Sequence, residues 1–179
     1  MLEAKNPDTG KLYTADDFNV VSYEAEGVGM LQDAIWADGN KLANDAAYKD
    51  TATKFVAASI QGWAYCRDNV QACADLIVSK GSKLGASHQL WQMNEVNKLI
   101  WPSANGAGMI DAAAWERTAT LAQETKNLEG STVLTKAPDA EAYTNDIVTA
   151  ALAILDGLGV DTKGASYAPI EVTLNEAGA

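Results

Sequence analysis

Residues 62–102, GWAYCRDNVQACADLIVSKGSKLGASHQLWQMNEVNKLIWP, hold three of the five tryptophans, both cysteines and the single histidine of the chain. Their spacing is helical. Phe55, Val56, Ser59, Ile60 and Trp63 recur at intervals of three and four, and Val70, Cys73, Ala74 and Ile77 repeat the pattern after a break at Asp68-Asn69, where Asn69 can cap the second helix. Leu90, Met93, Asn97 and Ile100 mark a third helix, which Pro102 stops. Toward the carboxy terminus, Asp111 is a cap for a fourth helix carrying Trp115, Ala119 and Ala122. Ile147, Ala150, Ala151, Ile154, Leu155 and Leu158 form the cleanest stripe, a fifth helix ended by Gly157 and Gly159. Toward the amino terminus the pattern becomes extended: Phe18–Tyr23 is β-branched and aromatic, and Gly29–Ala37 reads as a second strand beyond Glu24-Ala25-Glu26-Gly27. A short strand is also expected at Ile170–Leu174. The expected fold is α+β and predominantly helical, two short amino-terminal strands followed by about five helices. It forms a single domain with a hinge and strand segment over 1–40, a helical segment over 41–160 and a tail over 161–179.

A chain of 179 residues can bury roughly 70% of the surface it exposes when unfolded, enough for a core without staples. Its 13 basic and 24 acidic residues leave a net charge of -11, so nucleic acid and anionic membrane surfaces would repel it. With 47% hydrophobic and 21% charged residues the chain is neither disordered nor membranous, and no apolar run approaches the ~20 residues of a bilayer span. The first residues lack a basic region followed by an apolar one, so no secretion signal is expected in them. Asn6-Pro7-Asp8-Thr9-Gly10 reads as a turn.

The chemistry these residues suggest is binding. One histidine and two cysteines supply neither a nucleophile beside its base nor a ligand set for zinc, and His88 reads as a capping or surface residue. Cys66 and Cys73 have two readings. If the chain reverses at Arg67-Asp68-Asn69 they can form a disulfide, which would imply an oxidising compartment; otherwise they are two buried thiols on apolar helix faces. Gly27-Val28-Gly29-Met30-Leu31-Gln32 has too few glycines for a dinucleotide fingerprint. Tyr23 and Trp36 flank this turn as candidate ligand-facing aromatics, with Glu24, Glu26 and Asp33 clustered around it as a candidate hydrogen-bonding rim for an amine or amide ligand. The competing reading makes the turn a solvated acidic loop and the tryptophans packing residues.

The blocks NPDTGKLY (6–13), YEAEG (23–27), GMLQDAIWAD (29–38), KDTATKFVAASIQGWAYCRDN (49–69), HQLWQMNEVNKLIWPS (88–103) and YTNDIVTAALAILDGLGVDTKG (143–164) closely resemble the ABC-transporter substrate-binding proteins related to thiamine-pyrimidine synthases. These bind thiamine pyrimidine precursors, riboflavin and similar heterocycles. The resemblance implies a periplasmic binding protein-like (type II) fold, two α/β lobes joined by crossing strands with the ligand clamped between them. It covers the carboxy-terminal half: the returning hinge strand and the helices that pack on the first lobe. It further implies a small-molecule vitamin precursor as ligand, an ABC-transporter permease as partner, no cofactor, and a periplasmic or lipid-anchored extracellular location for the full-length form. The isolated half is expected to dimerise through stripes such as Phe55/Ile60/Trp63 and Ile147/Ile154/Leu158. Two alternatives stand beside this reading. One is an enzyme fragment of the pyrimidine-synthase type, although that family's cysteine-rich motif and cofactor-bonding histidine belong to the other half. The other is a stand-alone helical interaction module.

Overall fold

The computed structural model describes residues 1–81 and 83–179. Among them are six α-helices: α1 (Gly39–Asn44), α2 (Ala46–Asp68), α3 (Val70–Lys80), α4 (Ala86–Ile100), α5 (Ala112–Glu124) and α6 (Asp146–Gly157), with short 3-10 turns at Ala15–Asp17, Ala140–Ala142 and Glu176–Gly178. The protein is predominantly helical, as the periodicity predicts. The element not anticipated is α1, which Asp38 caps by accepting a hydrogen bond from the Lys41 N–H. Asp45 then separates α1 from α2: its side chain accepts from the Tyr48 N–H, so the second helix starts afresh at that point. Asp111 caps α5 through the Ala114 N–H, as its position suggests. At α6, the Val160 N–H donates to Leu155 O and the Gly159 N–H to Asp156 O, the double closure that a left-handed glycine after a helix permits.

The strands did not form. Among the described residues β-pairing is confined to two isolated antiparallel bridges, Lys5 with Leu12 and Lys126 with Thr132, so Phe18–Tyr23, Gly29–Ala37 and Ile170–Leu174 are corrected to irregular chain. The reason lies in where their backbone groups go. Ser22 Oγ accepts from the Ala25 N–H, while the Val28 N–H donates to Tyr23 O and the Gly27 N–H to Glu24 O. Gly27 takes φ 76°, a conformation that a side chain would strain, and the stretch closes into a single capped turn. Further on, Gly29 O accepts from the Arg117 side chain and the Leu31 N–H donates to Thr118 Oγ1. In the tail, Ile170 gives its N–H to Asn94 Oδ1, and its C=O accepts from Asn94 Nδ2. Side chains thus occupy the groups that a ladder would need.

The chain divides into two compact units, which cut across the segments read from sequence: Met1–Val20, Ala57–Ala107 and Leu152–Ala179 form the first, Val21–Val56 and Gly108–Ala151 the second. In the first unit α3 packs against α4, and the core holds Ile60, Ala64, Cys73, Ala74, Trp101 and Leu155. The tail lies along α4, where Ser87 Oγ accepts from the Asn175 N–H and the Ala177 N–H reaches Glu3 O. In the second unit Ala119, Ile147, Val148 and Ala151 are buried. The rings of Trp115 and Tyr143 meet at a tilt of 41° with centroids 4.7 Å apart, and Asn145 pairs both ends of its amide with the backbone of Ile110, at 3.0 and 2.9 Å. Asn94 and Asn145 therefore do the same work in different units, each standing in for a strand partner.

Candidate functional site

The cysteine-rich stretch is built as a rigid corner. Only Asn69 separates α2 from α3, and its side chain does not cap α3; its Nδ2 donates back to Tyr65 O. Cys66 and Cys73 are joined in a disulfide across this corner, with Cα atoms 5.5 Å apart. Beside it Arg67, whose side chain is 7% exposed, gathers several partners. Its Nε and Nη2 donate to the two carboxylate oxygens of Asp68 at 2.7 and 2.8 Å, its Nη1 donates to Asp161 O at 2.9 Å, and its guanidinium lies 4.7 Å from the centre of the Trp101 ring. Gly164 sits against this stack with φ 59°, and a β-carbon there would meet the Trp101 ring at 2.8 Å.

The electrostatics follow from the contacts. Hydrogen bonding to Asp68 raises the Arg67 pKa further, and the same bond holds Asp68 below the usual carboxylate range. Asp161 is lowered chiefly by accepting the Gly164 and Lys163 N–H groups and also by the nearby Arg67 charge. Burial raises Tyr167. Arg67 thus faces two carboxylates, Asp68 directly and Asp161 at 3.3 Å, and Asp161 is held in addition by backbone N–H groups. A shallow, largely apolar groove lies beside the disulfide, lined by Ala58, Gly62, Cys66, Cys73 and Leu76 with Gln61 and Tyr65 as its polar side chains. His88 pairs through Nδ1 with Glu3 Oε1, and its ring lies 5.9 Å from that of Trp91; it is a tie to the amino terminus. No group of three or more His, Cys, Asp and Glu residues placed for a metal occurs among the described residues, and no described helix is long and apolar enough to cross a membrane.

The four candidate ligand residues all fall in the second unit. Tyr23 is 72% and Trp36 85% exposed, and Glu26 and Asp33 are exposed as well. Tyr23 lies in the capped turn, and Asp33 adopts φ 52°, a left-handed conformation that its short polar side chain tolerates. No hydrogen bond, ion pair or ring contact joins the four to one another among the described residues. They share one segment, 23–36, which α5 holds at Gly29 and Leu31. Arg117 Nε donates to Gly29 O at 2.7 Å, and Arg117 Nη2 lies 3.6 Å from Glu24 Oε1. Thr118 Oγ1 accepts from the Leu31 N–H at 2.8 Å and donates to Ala114 O. Gly29 is consequently buried between exposed neighbours.

Sequence reasoning passed over Arg117 and Thr118. They are consecutive on α5, about 100° apart around the helix, and their partners lie 88 and 87 residues away, so no local pattern announces so distant a pairing. Comparisons with protein families, with curated proteins and with solved structures find no match to this chain.

Proposed function

We propose that this chain is the carboxy-terminal part of a solute-binding protein that delivers a small planar heterocycle, of the aminopyrimidine or flavin kind, to an ABC importer. Tyr23 and Trp36 supply stacking faces, and Glu26 and Asp33 accept hydrogen bonds from ring or exocyclic N–H groups. Carboxylates at the rim favour a neutral or cationic ligand over a phosphorylated one. The resemblance of the sequence blocks motivates the reading. The observation that carries it is an almost fully solvated Trp36 on a segment that α5 tethers by two side-chain-to-backbone hydrogen bonds. The tethers at Gly29 and Leu31 restrain the backbone of the segment before a ligand arrives, so less of its freedom is lost on binding.

Calorimetric titration with an aminopyrimidine, thiamine and riboflavin tests the proposal. A ligand held on one side buries less than the 70–90% of its surface typical of tight sites, so the expected dissociation constant is about 0.1–1 mM, or about -4 to -5.5 kcal/mol. Trp36→Ala should abolish the saturable heat while Trp63→Ala keeps it. Absence of saturable binding for all three compounds, or unchanged binding by Trp36→Ala, refutes the proposal.

A further inference from the structure

We infer that Arg117 and Thr118 of α5 are positioning residues for this site: they set the segment that carries Tyr23, Glu26, Asp33 and Trp36 without themselves touching the ligand. The inference rests on the reading above. The capped turn at Ser22–Val28 fixes its own backbone locally, but the run after it has neither a ladder nor a helix to hold it. Among the described residues its ties to α5 are the Gly29 carbonyl on Arg117 Nε and the Leu31 N–H on Thr118 Oγ1, while the Glu24 carboxylate of the turn itself faces Arg117 Nη2. The two hydrogen bonds fall on residues two apart in this irregular run, one using the acceptor of Gly29 and the other the donor of Leu31, so they fix the backbone against α5 at these two points. Thr118 is further oriented by donating its hydroxyl hydrogen to Ala114 O, which leaves a lone pair directed at Leu31. Arg117 is the more demanding position, since the fork of its guanidinium serves Gly29 and Glu24 together, which an ammonium on a flexible stem cannot reproduce.

Three variants test this on the intact chain, with calorimetry, amide hydrogen exchange and thermal melting read in parallel. Thr118→Val removes the acceptor for Leu31 while keeping shape, and Arg117→Gln removes the fork. Each should raise the dissociation constant for the heterocycle about five- to tenfold, the loss expected of one net hydrogen bond. Exchange at Leu31, whose N–H donates to Thr118 Oγ1, should accelerate in Thr118→Val, with the amides of α5 unchanged and the melting midpoint lowered by no more than about 5 °C. Thr118→Ser keeps the hydroxyl and should bind within about twofold of the parent, a rescue that a merely space-filling role would not produce. If the parent binds and both disruptive variants bind equally well, the inference fails and the proposed function stands. The inference also fails if Thr118→Ser behaves as Thr118→Val does. A parent that binds no heterocycle overturns the functional reading, and the positioning role falls with it.

Discussion

Reducing the Cys66–Cys73 disulfide should cost the folded chain about 2.5 kcal/mol. The cysteines are seven residues apart, and closing so small a loop removes about 8 cal/mol/K of entropy from the unfolded chain, which gives this figure at room temperature in the chain-entropy model. The folded side of the balance should change little. The two Cα atoms are 5.5 Å apart, a separation that unstrained disulfides adopt; the corner is also held by the Tyr65 carbonyl, which accepts from both the backbone N–H and the side-chain Nδ2 of Asn69. Reduction is a cleaner perturbation than substitution. Serine at position 73 would bury a hydroxyl where the cysteine is 5% exposed, and the penalty for that burial would be counted with the loop term. Urea unfolding of oxidised and reduced protein, followed by far-ultraviolet circular dichroism, measures the difference directly. A melting midpoint should fall by about 5–10 °C for a chain of this size. A difference below about 0.5 kcal/mol would refute the closure argument, and a loss above about 5 kcal/mol would show that the bond holds native packing together rather than restraining the unfolded chain.

Leu155, 1% exposed in α6, should lose about 3 kcal/mol on truncation in Leu155→Ala, measured by chemical denaturation, whereas a loss under about 1 kcal/mol would show that its surroundings collapse onto the gap. Asp68 and Asp161 both have carboxyls held below their ordinary value. Their contribution is therefore complete above the unfolded value of about 3.9 and is lost as pH falls through the lower folded values. The urea midpoint of the parent should drop below about pH 4 more steeply than that of Asp161→Asn, and equal slopes would contradict the assignment.

Much of the helical frame was legible because its signals are local. Asp111 caps α5 through a bond spanning three residues, and Gly159 closes α6 on Leu155 and Asp156. The fourth and fifth helices therefore appear where hydrophobic spacing and a terminal residue agree. Asn69 shows the limit of such reasoning even at short range: its type suits a cap, yet its amide found Tyr65 O instead. The segment 18–37 was misread because extended character in a sequence states a backbone preference and not a partner. FNVVSY has β-forming residues, but a strand exists only when another strand supplies the opposing N–H and C=O groups.

By itself, the sequence determined five of the six helices, the acidic charge, the seven-residue spacing of the two cysteines and the turn residues at Gly10, Gly27 and Gly159. All of these follow from composition or from interactions within a few residues. Only the tertiary structure decided which side chains would take up the leftover backbone groups. Asn94 on Ile170, Asn145 on Ile110, and Arg117 with Thr118 on Gly29 and Leu31 join residues 35 to 88 positions apart. A buried or tethered backbone must satisfy its hydrogen bonds with whatever the fold brings near, and that choice is made by three-dimensional proximity, which no local pattern encodes.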